Sequence, residues 1–83
     1  MTTRTAEQGT QLTLDDLTVG IIDAASHGGV TKAALLLRLE TGDEAVVVTA
    51  GVPHDVDGHG TLNVDDVVLV PEGKARVTLR LEA

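Results

Sequence analysis

The chain has 83 residues, with 13 acidic against 6 basic side chains, a formal net charge of −7, and neither cysteine nor aromatic residue. That length holds one domain that buries about 60–65% of its unfolded surface, and without cysteine it has neither a disulfide framework nor a thiolate metal site to stiffen it. The sign of the charge opposes a phosphate backbone and there is no aromatic platform for a stacked base, so nucleic-acid binding is the function excluded most firmly.

Residues 1–9 are polar and are predicted as a flexible N-terminal tail, followed by a single β domain over 10–83. The tail carries no apolar leader core, and no later apolar run approaches the ~18 residues of a membrane helix. The expectation is a cytoplasmic protein with no membrane partner.

The stretch Gly9 to Val19 resembles Gly60 to Leu69: each has a short alternating run, an Asp-Asp pair (Asp15-Asp16, Asp65-Asp66) and a second apolar run. Later segments both end in Leu-Arg-Leu-Glu, at Leu37 to Glu40 and Leu79 to Glu82. The pattern predicts one strand-turn-strand unit present twice.

Within the first copy, Thr13 and Asp16 form a capping pair, and Leu14, Leu17, Ile21, Ile22 and Ala25 recur at helical spacing. Thr18, Val19, Ile21 and Ile22 are β-branched and flank Gly20, which favours a strand. A helix near 14–26, giving an α+β fold, is the rival reading. Val30 to Glu40 and Asp43 to Thr49 are predicted as a hairpin turning at Thr41-Gly42-Asp43.

In the second copy Pro71 follows the run Val67-Val68-Leu69-Val70 too closely for a helix. Arg76 to Glu82 alternates at period two and places Val77, Leu79 and Leu81 on one face. The sum is an all-β fold, a six- to seven-stranded sandwich or partly open barrel. Leu35-Leu36-Leu37 and Val46-Val47-Val48 are apolar on both faces, whereas a two-layer sandwich buries only one. A second copy of the chain is the expected cover, hence a homo-oligomer.

For chemistry, the most specific spacing runs from Asp55 to Asp66. This stretch resembles the twelve-residue calcium loop of EF-hand proteins, and its closing aspartate is similar to that of dockerin repeats. The resemblance implies calcium held by Asp55, Asp57, His59, Thr61 and Asp66, with Gly60 at the sharp turn and Leu62 as the apolar anchor. His59 sets an imidazole where calcium prefers oxygen, and His54 with His59 offers a zinc or copper alternative.

Ser26 and His27 are chain neighbours, a poor start for a nucleophile and its base. No phosphate-cradling or cofactor motif is present, so the chain is expected to be no enzyme and to carry no cofactor unless calcium. Between Arg38 and Lys74 there is no lysine or arginine, while Glu40, Asp43, Glu44, Asp55, Asp57, Asp65, Asp66 and Glu72 fall there. The sequence thus reads as a non-enzymatic, acidic β interaction module of accessory, inhibitor or immunity type, which binds itself and a basic protein. The alternative is a metal-binding module that uses the 55–66 loop.

Overall fold

The computed structural model describes residues 2–70 and 73–82. Every regular element in it is a strand: β1 (Thr2–Glu7), β2 (Gln11–Leu14), β3 (Leu17–His27), β4 (Val30–Leu39), β5 (Gly42–Thr49), β6 (His54–Val56), β7 (Gly60–Val68) and β8 (Arg76–Glu82). Among the described residues no helix is long and apolar enough to cross a membrane. The strands form two antiparallel sheets of four, one ordered β1-β8-β7-β6 and the other β2-β3-β4-β5. The all-β sandwich is therefore as expected, with eight strands in place of six or seven.

The two sheets face each other across an aliphatic core. One leaflet is Leu12, Leu14, Leu17, Val19, Ile21, Ala33, Leu35, Leu37 and Val48, and the other is Val56, Leu62, Val64, Val77, Leu79 and Leu81. Alternation along each strand turns these residues inward and leaves the polar ones outside. The expectation for β8 holds, with Val77, Leu79 and Leu81 all fully or almost fully buried.

Over 14–26 the strand prevails. Leu14 and Leu17 are cross-strand partners on either side of the Asp15-Asp16 turn, so their helix-like spacing of three is a hairpin's. Beyond them Leu17, Val19 and Ile21 are buried at period two, while Ile22 and Ala25, which a helix would bury, are exposed. A bulge between Ile21 and Asp23 pushes Ile22 out of the alternation.

Two expectations are corrected. Thr2–Glu7 is no flexible tail: it forms β1, paired in register with β8 from Thr2↔Leu81 to Glu7↔Arg76. The segment 60–70 is not strand-turn-strand, because β7 runs unbroken from Gly60 to Val68 and bends at a bulge between Val64 and Asp66. The proposed repeat is not confirmed, since Asp15-Asp16 make a tight turn inside one sheet while Asp65-Asp66 sit within one strand of the other. Pro71, expected to end the run before it, and Glu72 lie outside the described residues.

The chain passes between sheets at two places. At Gly9, whose φ is 85°, β1 leaves its sheet and β2 enters the other, and the Gly9 N–H donates to Ile21 O at 2.7 Å. After β5, Ala50 N–H still donates to Thr31 O, but Gly51 N–H donates across to Val64 O at 3.2 Å.

Gly20 lies mid-strand on the outer face with ordinary backbone angles, and a Cβ there would meet Leu36 Cβ at 3.6 Å and Gln11 Cγ at 3.7 Å, normal contact distances. Gly20→Ala should stabilise the fold by about 0.5–1 kcal/mol, chiefly by restricting the unfolded chain. Urea unfolding checks this; a lowered midpoint would show that Leu36 cannot accept the methyl group.

Candidate functional site

Antiparallel connections bring three turns to one end of the sandwich. They are Asp15-Asp16 between β2 and β3, Glu40-Thr41 between β4 and β5, and Asp57-Gly58-His59 between β6 and β7. Each is built from residues suited to tight reversals. Gly58 has φ 81° and the His59 N–H donates to Val56 O at 3.0 Å, the pattern of a turn with a left-handed third residue. Asp15 is the one non-glycine among the described residues with positive φ, 55°. Thr2 Oγ1 donates to its Oδ1 at 2.6 Å, tying β1 to this turn.

The turns touch. His59 Nδ1 lies 3.2 Å from Asp16 Oδ1, and the imidazole is only 15% exposed while the carboxylate is 85% exposed. Asp16, Leu39, Glu40, Thr41, Asp57, Gly58 and His59 together line a hollow of about 250 Å³. Three carboxylates and no lysine or arginine form its wall, and so the end of the molecule presents a negative surface over a half-buried leucine. A wider open groove of about 620 Å³ continues from it along residues Asp55 to Thr61.

Comparison with family models, with curated proteins and with solved structures found no match to this chain. Its chemistry therefore has to be read from the geometry.

The calcium-like stretch is a hairpin. Asp55 lies on β6 opposite Thr61 on β7, and Thr61 Oγ1 donates to Asp55 Oδ1 at 3.3 Å. Asp57 and His59 belong to the turn. Asp66 stands apart, paired with Thr78 in the middle of the sheet, about 16 Å along an extended strand from Thr61. The structure thus gathers Asp55, Asp57, His59 and Thr61 around one turn and leaves Asp66 out. A calcium loop closes on its twelfth residue because the chain coils round the ion; here it continues as an extended strand to Val68. Among the described residues no three His, Cys, Asp or Glu side chains are grouped to hold a metal, and His54, on β6, pairs with Leu62.

Ser26 and His27 are successive residues of β3 and so project to opposite faces. Ser26 Oγ accepts a hydrogen bond from Thr31 Oγ1 at 3.3 Å, and His27 is opposite Val30 at the hairpin tip. Sequence reasoning missed Asp16 and Glu40 as neighbours of the 55–61 turn. The available signal was parity: turns after β2, β4 and β6 of an antiparallel sandwich all fall at one end.

A site that lacks its closing ligand gains little from the ion. Millimolar calcium should leave the melting temperature within about 1 °C of its starting value, because only a ligand that prefers the folded state raises it. A rise of several degrees, lost in Asp57→Asn, would show that the hairpin recruits calcium with donors other than Asp66.

Proposed function

We propose that this chain is a non-enzymatic interaction module that meets a basic protein through the acidic turn end and associates with itself through aliphatic sheet surface. The observation that carries the first half is the convergence of Asp16, Glu40 and Asp57 on one hollow that no lysine or arginine lines. Elsewhere two arginines face acidic neighbours: Arg38 meets Asp43 at 3.0 Å, and Arg80 meets Asp65 at 3.4 Å and Glu82 at 3.5 Å. Among the described residues the turn carboxylates have only the His59 imidazole beside them, and in a rigid frame they would meet lysine or arginine side chains with little reordering.

The second half is supported by the outer face of the β2-β3-β4-β5 sheet. Val47 is 63% and Ile22 50% exposed there, beside Ala34, Ala45 and the half-buried Leu36. Such a surface favours burial against apolar surface of another molecule.

Titration of the isotope-labelled chain with a short lysine- and arginine-rich peptide tests the acidic end. Backbone shifts should concentrate at residues 15–16, 40–41 and 57–59, and affinity should fall at least about tenfold between 50 and 500 mM salt. Asp16→Asn with Glu40→Gln and Asp57→Asn should abolish the response. Shifts scattered evenly over all carboxylates would overturn this half of the reading. Sedimentation tests the other half, with dimers expected at high micromolar concentration and a monomer there overturning it.

A further inference from the structure

A sandwich has four edge strands, and each exposed edge is a template for another chain unless something blunts it. Three are blunted here. β1 carries no large apolar residue and sets Arg4 among threonines. β2 has only four residues, and β6 only three, preceded by Pro53. The part of β7 that extends past β6 has the bulge and Asp65-Asp66. β5 is different: it is eight residues long, with Val46-Val47-Val48 unbroken by proline, bulge or cation.

The ladder to β4 fixes which groups of β5 are free. Ala50 N–H donates to Thr31 O, and the same register pairs Val48 with Ala33 and Val46 with Leu35. Even-numbered residues therefore bond inward to β4, and Ala45 and Val47 turn both N–H and C=O to the open edge, as Thr49 does its N–H, while the Thr49 C=O already accepts from Val52 N–H at 3.0 Å.

Resting on the self-association proposed above, we infer that two copies of this chain join edge to edge through β5, antiparallel about a twofold axis at Val47. In this register Val47 exchanges N–H···O bonds with its symmetry mate, and on either side Thr49 N–H donates to Ala45 C=O, while Ala45 N–H takes the second lone pair of the Thr49 C=O that Val52 N–H already uses. The free N–H and C=O groups of Ala45 and Val47 and the Thr49 N–H all find partners, and paired side chains share a face.

Packing and charge both favour this register over those centred on the next outward-bonding residues, Ala45 and Thr49. On the inner face Val46 meets Val48 of the other copy, so the row Ile21, Leu35, Val46 continues into Val48, Ala33 and Ala24 of the second core. On the outer face the two Val47 side chains cover each other. The paired segment Ala45–Thr49 is uncharged, and the acidic ends Asp43 and Glu44 fall beyond it at opposite ends of the seam. Centring on Ala45 would set the two Glu44 side chains diagonally together on the inner face, a like-charge contact. Centring on Thr49 would call on Gly51, whose N–H is already given to Val64.

The chain has no cysteine, so engineered thiols report the register directly. Val47→Cys should form a covalent dimer under mild oxidation at least about ten times faster than Ala45→Cys or Thr49→Cys alone, since the paired Cα atoms would be about 5.5 Å apart. An equal mixture of Ala45→Cys and Thr49→Cys should crosslink to each other. Val47→Pro removes only an edge N–H and should leave the urea midpoint nearly unchanged while weakening self-association at least about tenfold.

If the native chain dimerises but Val47→Cys crosslinks no faster than Ala45→Cys, or folded Val47→Pro dimerises normally, this interface is overturned and self-association stands. A chain that stays monomeric at high micromolar concentration overturns both.

Discussion

Everything in this fold depends on two small-residue leaflets meeting face to face. With no aromatic side chain available, the space between the sheets is filled by leucine, valine, isoleucine and alanine, each burying modest area. Such a core works only if nearly every inward position is used, and the inward rows of β2, β3, β4, β7 and β8 are apolar almost without interruption. The one buried polar residue among those described is Asn63, on the outward side of β7 opposite Arg80. The same close filling leaves the turns, outer faces and edges as the surfaces open to another molecule.

That division of labour separates framework from function. The core holds the strands in register, the strands carry three turns to one end, and turn chemistry makes that end acidic. Aspartate and glycine are there first because reversals need them; the negative hollow between Asp16, Glu40 and Asp57 arises because three such turns are neighbours. The sheet edge has a comparable origin: β5 is apolar on both sides because Val46 and Val48 serve the core, and Val47, pointing the other way, is largely exposed beside Ala34.

Much of the fold was legible in the residues. Period-two burial revealed β8, and the Thr41-Gly42 turn revealed the β4-β5 hairpin. The β-branched run around Gly20 outweighed a helical spacing that a two-residue turn had produced. What could not be read was non-local. β1 is polar and is a strand only because β8 offers it a ladder, so its local sequence resembles a tail. Asp65-Asp66 looked like Asp15-Asp16 because a bulge and a turn favour the same short polar side chains, and nothing nearby says whether the chain then reverses or continues. The calcium-like spacing failed as a closed ring for the same reason. Ligand patterns assume a coiled loop, and in a strand Asp66 is carried far from the other residues of the pattern.

The two passages of the chain between sheets have a mechanical meaning. One lies at Gly9, on the side where β1 and β2 touch, and the other at residues 50–53, on the side of β5 and β6. The layers resemble a book sewn along both long edges: they can neither slide past each other nor hinge open along one side without tearing a seam. Breathing motions that would let water between the leaflets are confined to the hairpin tips, and exposing Leu35 or Leu79 requires the whole domain to come apart.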